Sequence, residues 1–461
     1  MMFFYGMTLV FILGYGLIAF EHVNKIDKAA VALLTGGLMW LLLVIGAPDI
    51  YQLGFSQELN ALTAGHAGGT HSIVDLITRH AFTEHLGEIA SIVFFLMAAM
   101  TIVEVVDRYQ GFRIITDRIK TTSRIRLLWI ISILAFLISA VLDNLTTTIV
   151  MITLLQKLLA KQDNRWLFSG MVVIAANAGG AFSPMGDVTT IMLWIGGQVT
   201  AASVVKTLFL PSLVAMVVPL TVLSFILPGR TARPALSDDE VEEFVPYKHR
   251  VIILCLGLFA LITVPVLKAF THLPPSVGML LGLGIIWVYT DRFLKRKQNL
   301  DRRKLSVTRI LKQVDTATVL FFLGILLSVA AFQTAGQLNV LAGWLSTTIG
   351  NVYGINLIIG FLSSIVDNVP LVAASMGMYG IEPASATGFL ADFVVDGNFW
   401  TFLAYCAGTG GSVLIIGSAA GVAAMGLEGI PFFWYMKRIG WLALLGYLSG
   451  AACFMVMQLL F

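Results

Sequence analysis

A series of apolar runs, each about 20 residues long, restricts the fold of this chain more than any other feature. A helix of about 20 mainly apolar residues is what crosses the hydrocarbon core of a bilayer. Backbone groups in lipid must be bonded within their own segment, so such runs predict helices. The fold predicted is an all-α polytopic membrane protein with about ten transmembrane spans. The runs lie at 3–20, 28–47, 88–106, 166–199, 206–227, 251–270, 275–290, 315–335, 399–427 and 439–461.

Composition excludes the common soluble classes. Hydrophobic residues make up 58% of the 461 residues and charged residues only 12%, against about 25% charged in soluble domains. The net charge of +3 comes with basic residues in loops, so nucleic acid is not an expected partner. Cys255, Cys406 and Cys453 are isolated in apolar sequence and indicate neither disulfides nor a metal cluster. No cofactor is predicted. The first run lacks a basic start and a cleavage site, and is interpreted as a retained helix.

Basic loops predict the orientation of the chain. Segments 107–126 and 291–312 are rich in Lys and Arg and are placed in the cytoplasm, whereas 48–87 is placed outside. The linker 228–250, with its acidic run, is expected to join two halves on the inner side. With ten spans, both termini are predicted to be periplasmic.

Two motifs recur in the same order in the two halves. Ser139-Ala-Val-Leu-Asp-Asn resembles Ser363-Ser-Ile-Val-Asp-Asn, and Ala176-Asn-Ala-Gly-Gly resembles Ala407-Gly-Thr-Gly-Gly, with a further glycine six residues after each Gly-Gly pair. A weaker match links the Phe-Phe-Leu sequences at 94 and 321. A basic loop follows the first Phe-Phe-Leu helix and precedes the second, so the repeats are predicted to be inverted, as in alternating-access carriers.

The Asp-Asn pairs interrupt two apolar regions, 127–160 and 353–380. Basic residues flank the first region at both ends, and acidic residues follow the second. This pattern favours two re-entrant hairpins that enter from opposite faces, with their Asp-Asn tips near the midplane. Pro370, just after the second tip, also favours a break there. The alternative is two short full spans in each region.

Ionisable residues within apolar sequence are the candidate site. A charge at the bilayer centre costs about 2.5–3.5 kcal/mol on insertion scales, so such residues are kept for a reason. The alternative for each aspartate is a helix N-cap, above all for Asp187, which follows Ser-Pro-Met-Gly at a predicted helix start. The predicted ion-binding and proton-coupling residues are Asp143, Asn144, Asp187, Asp367 and Asn368. The supporting polar ligands are Thr146, Asn177, Thr189, Thr190, Ser363, Ser364, Thr409 and Ser412.

Oxygen-rich side chains of this kind suit a hard cation such as Na⁺ or Li⁺. Glycine pairs permit unwound backbone whose carbonyls can also bind an ion. A carboxylate can hold either a cation or a proton, and one site that accepts either is the simplest basis for exchange. Na⁺ or Li⁺ at the transport site is the only metal predicted.

Other polar residues are interpreted less specifically. The histidines of the outer segment, His66, His71, His80 and His85, match no metal motif and are interpreted as solvated loop residues, with metal binding or pH sensing as the alternative. Residues 72–82 are a candidate surface amphipathic helix. Glu104 lies near the cytoplasmic end of its span and is interpreted as interfacial, with a proton relay as the alternative.

The Asp-Asn tips, the segment Gly179-Gly-Ala-Phe-Ser-Pro-Met-Gly-Asp-Val-Thr-Thr and the late Gly408-Thr-Gly-Gly-Ser together resemble the NhaD-type sodium/proton antiporters over nearly the whole chain. The resemblance implies exchange of cytoplasmic Na⁺ or Li⁺ for external H⁺, a dimeric scaffold domain, and a transport domain with two hairpins. Plant members carry transit sequences and none is visible here, so a bacterial inner membrane is expected. Its ion-pathway motifs match Asp143, Asn144, Asn177, Asp187, Thr189, Thr190, Ser363, Asp367, Asn368 and Ser412.

The domain scheme follows from the repeats and the resemblance. The expected units are 1–87 (scaffold), 88–227 (first repeat), 228–250 (linker), 251–314 (scaffold spans and basic loop) and 315–461 (second repeat).

Related dicarboxylate carriers present Ser-Asn-Thr at both tips and bind an anion, whereas here Asp replaces Ser at both. No Lys or Arg lies near either tip in the sequence, so a cation is favoured. One alternative is a Na⁺- or H⁺-coupled carrier of a small anion or arsenite. Another is an intramembrane enzyme, which is disfavoured because no motif such as His-Glu-x-x-His is present. A third is a channel, which is disfavoured because inverted repeats with acidic midplane tips favour a carrier.

Overall fold

A computed structural model describes residues 1–19, 21, 25–65, 72–112, 114, 121–227, 229–230, 245–271, 273–295, 305–365 and 367–460. Across these ranges the chain is helical, with only two isolated β-bridges. The helices of the first half are α1 (Met2–Ala19), α2 (Lys28–Ile45), α3 (Ala47–Gln52), α4 (Gln57–Gly65), α5 (Ile73–Arg108), α6 (Arg124–Leu142), α7 (Asn144–Leu158), α8 (Gln162–Ala181), α9 (Val188–Ile195) and α10 (Ala201–Ile226).

The second half continues the helical pattern, with a short 3₁₀-helix at Gly388–Phe393. Its α-helices are α11 (Tyr247–Thr271), α12 (Pro275–Leu294), α13 (Val307–Leu311), α14 (Thr316–Thr334), α15 (Gln337–Thr348), α16 (Val352–Leu362), α17 (Asn368–Met378), α18 (Asn398–Gly410), α19 (Ala419–Glu428) and α20 (Phe432–Leu460). Most of the predicted linker, 231–244, lies outside the described residues, and its last residues already belong to α11.

Eight of the described helices are long and apolar enough to cross a bilayer: α2, α5, α6, α10, α11, α12, α14 and α20. Their outward surfaces carry large apolar side chains such as Phe225, 84% exposed, and Phe270, 82% exposed. Apolar surface of this extent needs lipid rather than water around it. The predicted class, an all-α polytopic membrane protein, is confirmed.

The predicted spans 166–199 and 399–427 are corrected by the structure. Each consists of two helices separated by an irregular stretch. Residues 182–187 lie between α8 and α9, and residues 411–418 lie between α18 and α19. The glycine pairs that the sequence marked as sites of unwinding stand directly at these breaks. Of the other predicted spans, the first forms α1 and the remaining seven coincide with long helices.

The two Asp-Asn regions are also broken where predicted. Asp143, at φ 96°, separates α6 from α7, and Asp367 precedes α17. Both aspartates cap the helix that follows: Oδ1 of Asp143 accepts the Thr146 amide at 2.8 Å, and Oδ1 of Asp367 accepts the Val369 amide at 3.4 Å. At 19 residues, α6 is long enough to span. For the first region, the length of α6 is therefore compatible with two full spans as well as with a re-entrant hairpin.

Both repeats pack their breaks in the same way. Ser139 Oγ donates to the Ala176 carbonyl at 2.6 Å, and the matching Ser363 Oγ donates to the Ala407 carbonyl at 2.9 Å. A Cβ added at Gly410 would overlap the backbone carbonyl of residue 360, just as one at the matching first-half glycine would overlap the carbonyl of residue 136. Because α8 also packs against α18 and α19, the two breaks lie side by side.

Candidate functional site

The centre of the candidate site is the carboxylate of Asp187. This residue ends the break after α8 and caps α9, and only 1% of it is exposed. Its Oδ1 accepts the Thr189 amide at 3.0 Å and the Thr189 hydroxyl at 2.9 Å. Asp187 therefore has the helix-capping role that the sequence offered as the alternative to ion binding, and its carboxylate still faces groups from elsewhere in the chain.

Two amides from distant segments converge on this carboxylate. Asn144 Nδ2 donates to Asp187 Oδ2 at 2.7 Å, and Asn368 Nδ2 donates to both carboxylate oxygens at 3.2–3.3 Å. Each asparagine is the first residue of its helix, α7 or α17, directly after an Asp-Asn break. The two predicted tips thus meet at Asp187. Each amide directs its nitrogen to the carboxylate, so its oxygen can be offered to a cation.

Asn177 joins the two halves beside this centre. Its Oδ1 accepts from Asn144 at 3.0 Å, and its Nδ2 donates to the hydroxyls of Ser412 and Ser418 at 2.9 Å each. Ser418 caps α19 in the same extended conformation in which Asp187 caps α9. Ser418 was not among the predicted site residues. Ser418 directly follows Gly417, just as Asp187 directly follows Gly186 in the first repeat, and this match could have identified it.

The other two aspartates lie beside this network without bonding to it. Asp143 uses both oxygens on Thr146, with the hydroxyl at 2.9 Å from Oδ2. Asp367 Oδ2 lies 3.8 Å from Lys28 Nζ at the start of α2. The expectation that no basic residue lies near either tip is therefore wrong. It failed because Lys28 is far from Asp367 in sequence and only packing brings it there.

The remaining predicted supporting hydroxyls divide into two groups. Ser363, Ser364 and Thr409 donate to backbone carbonyls at 2.6–2.9 Å, the local role that hydroxyls often take in helices. Thr190 is buried, and its hydroxyl has no hydrogen-bond partner in the described part of the chain. The same holds for Thr147 and Thr148 after the first tip. A buried hydroxyl without a protein partner is free to bond a water or an ion.

A cavity of about 540 Å³ reaches towards the site. Acidic side chains dominate its charged lining, and Thr146, which bonds Asp143, also lines it. Glu104 is part of this lining and bonds Arg108 at 2.8 Å, so its interpretation as merely interfacial is incomplete. The charged lining residues are Glu21, Lys28, Glu104, Asp107 and Asp315.

The interpretation of His80 and His85 as loop residues is wrong. Both lie within α5, which begins at Ile73 rather than at the apolar run because Ser72 caps it. The His85 side chain is 12% exposed, and its Nε2 lies 3.1 Å from Glu58 Oε1. His66 and His71 lie outside the described residues.

Comparison with known proteins adds a family context to this geometry. The family described as "Citrate transporter" matches residues 15–395. "Sodium/proton antiporter 1" of Arabidopsis thaliana is 43% identical over 453 residues, covering 98% of this chain and 72% of that protein. "Sodium/proton antiporter 2" of the same plant is 40% identical and covers 98% of this chain and 99% of that protein. "Na(+)/H(+) antiporter NhaD" of Vibrio cholerae is 31% identical over 96% of this chain and 89% of that protein.

Proposed function

The chain belongs to the NhaD-type sodium/proton antiporters, and from this premise we propose that it exchanges Na⁺ for H⁺ across a membrane. More specifically, we propose that cytoplasmic Na⁺ or Li⁺ is exchanged for external H⁺ by alternating access. The observation that carries the proposal is the Asp187 carboxylate, 1% exposed, held between amides from both Asp-Asn breaks.

The ligand types at this centre fit a small monovalent cation. Hard cations prefer carboxylate, amide and hydroxyl oxygens. Asp187 supplies a negative charge, and Asn144 and Asn368 supply amide oxygens. The buried Thr190 hydroxyl, which has no partner among the described residues, lies in the first turn of α9, three residues after Asp187. A proton on the same carboxylate would remove the charge that holds the cation. Cation and proton would then occupy the site alternately, as exchange requires.

An anion would find few places to bind in this site. Helix N-termini attract anions through their free N–H groups. Here α7, α9 and α17 each have an aspartate cap, whose carboxylate already accepts one of those N–H groups and places a negative charge where an anion would bind. Lys28 is the basic side chain that reaches one of these aspartates. The name of the matching family still makes a carrier of citrate, arsenite or another small anion the alternative to test. The family and relative names describe transporters rather than enzymes.

Alternating access is proposed from the repeats. Carriers of this kind bind their ion where discontinuous helices of two inverted repeats meet. The breaks at Asp143, Asp187, Asp367 and Ser418 supply four helix starts around one centre. We propose that residues 88–227 and 315–461 form the moving unit and that 1–87 and 251–314 form a dimeric scaffold. A bacterial inner membrane with both termini outside is part of the same proposal.

The test is dissipation of a pH gradient in proteoliposomes on addition of NaCl, LiCl or KCl. We expect Na⁺ or Li⁺ to dissipate the gradient, and expect no response from Asp367→Asn or Asp143→Asn in samples that insert and fold like the wild type. Full activity in both variants would exclude the ion-binding and proton-coupling roles that the sequence predicts for these two carboxylates. No response of the wild type to any of the three cations would favour the anion carrier, to be screened with citrate and arsenite in the presence of Na⁺.

A further inference from the structure

Lys28 makes a contact that the exchange described above does not use. It is the first residue of α2, whose N-terminus Asp27 caps by accepting the Ala29 amide at 2.7 Å. Its Nζ lies 3.8 Å from Asp367 Oδ2 and 4.7 Å from the centre of the Phe321 ring. The side chains of Lys28 and Asp367 are 22% and 13% exposed. A carboxylate and an aromatic face therefore hold the ammonium in one place.

Lys28 both lines the cavity and contacts Asp367, which adjoins the centre of the candidate site. Lys28 lines the cavity whose other charged residues are acidic. Asp367 immediately precedes Asn368, whose amide donates to Asp187. A cation that enters the cavity and approaches Asp367 meets a cation already there. Two positive charges cannot share one carboxylate at close range without strong repulsion.

We propose that Lys28 is a tethered counter-cation of Asp367, which a transported cation must displace. The inference rests on the proposed function. It adds a residue that sets both the affinity for Na⁺ and the number of protons exchanged for each Na⁺. Lys28 belongs to the proposed scaffold, and Asp367 belongs to the proposed moving unit. While the site is empty, the ion pair joins the two units. Loading the site breaks the pair and frees the segment around Asp367 from α2, so the empty carrier, in which the pair is intact, does not return without a counter-ion.

Removing the ammonium has two consequences. In Lys28→Met, Na⁺ no longer competes with an ammonium for Asp367. The apparent KM for Na⁺ should therefore fall roughly three- to fivefold, the range expected for a partly exposed ion pair. The empty carrier can also return without binding a proton, so fewer protons should move for each Na⁺. Damage to the fold would raise KM or lower the rate instead, and it would not lower KM.

The experiment measures Na⁺ and H⁺ fluxes together in proteoliposomes. It compares the wild type with Lys28→Met, with Lys28→Arg, which keeps the charge, and with Lys206→Met, which removes an exposed lysine of α10. We expect a lower KM and a lower H⁺/Na⁺ ratio in Lys28→Met alone. A folded Lys28→Met protein with wild-type KM and ratio would overturn the inference. If Lys28→Met does not fold, Lys28→Gln, which keeps a polar side chain, is measured in its place.

Calorimetric titration of the detergent-solubilised protein with NaCl separates the inference from the proposed function. Tighter Na⁺ binding by Lys28→Met would support displacement even if no variant exchanges Na⁺ for H⁺, in which case only the proposed exchange fails. Equal Na⁺ binding by both proteins, with exchange intact in the wild type, would leave the exchange standing and reject the role of Lys28.

Discussion

Replacing Asp187 by asparagine tests the centre of the proposed site most directly. The side chain keeps its shape and loses its charge. In the native protein the two carboxylate oxygens accept hydrogen bonds from four groups: the backbone amide and the hydroxyl of Thr189, and the side-chain amides of Asn144 and Asn368. An amide in either orientation turns its own NH₂ group towards some of these donors. A buried donor left without an acceptor costs about 1–3 kcal/mol.

The loss of charge has the larger effect on ion binding. A unit charge about 4 Å from a cation contributes about 4 kcal/mol at an effective dielectric constant of 20. Since about 1.4 kcal/mol corresponds to a tenfold change, Asp187→Asn should weaken Na⁺ binding about a thousandfold. The expected result is that exchange is no longer detectable at millimolar Na⁺. The assay is Na⁺-dependent dissipation of a pH gradient in proteoliposomes, with membrane insertion checked in parallel.

Asp396→Asn is the matched control for this prediction. Asp396 also accepts a backbone amide and a hydroxyl, those of Thr200 at 2.6 and 2.8 Å, but it lies outside the candidate site. We expect this variant to keep its exchange activity. A folded Asp187→Asn protein whose KM for Na⁺ stays within about tenfold of wild type would refute the electrostatic argument.

Three further predictions concern packing and orientation. Gly410→Ala should destabilise the protein by about 1–3 kcal/mol because its Cβ would overlap the carbonyl of Gly360, whereas Gly284→Ala, which meets open space, should be neutral or better in a thermal-unfolding assay. Arg165→Met should cost about 3–5 kcal/mol because it leaves the buried carboxylate of Glu428 unpaired, a loss that Glu428→Gln in the same background should partly restore. A reporter fused to the C-terminus should report the outer side, and a cytoplasmic signal would contradict the proposed topology.

The helices and their main breaks could be predicted from the sequence because the causes are local. Apolar length identified the spans, and an ionisable Asp-Asn pair within apolar sequence identified the breaks at Asp143 and Asp367. The glycine pairs also carried a signal, but apolar length outweighed it, so 166–199 and 399–427 were predicted as single spans. Unwinding there depends on how closely Gly179 and Gly410 approach a neighbouring backbone, which is a tertiary property.

The composition of the site could be predicted better than its contacts. Asn144, Asp187 and Asn368 were all candidates, but nothing in the sequence showed that both amides would meet the same carboxylate. The contact of Lys28 with Asp367 could not be predicted at all, because a lysine at the start of an apolar run is ordinarily interfacial.

Comparison of the two repeats shows why the site has one charged centre. The halves agree at the tips, where Asp-Asn occurs twice, and differ at the helix breaks, where Asn177 matches Gly408 and Asp187 matches Ser418. Strict symmetry would place a second carboxylate at Ser418, whose hydroxyl bonds Asn177 in the same network that holds Asp187. Two carboxylates so close could not both stay ionised without a second counter-charge. The asymmetry leaves one carboxylate, that of Asp187, between equivalent amides, with Asp143 and Asp367 beside it, and a monovalent cation or one proton can neutralise that central charge.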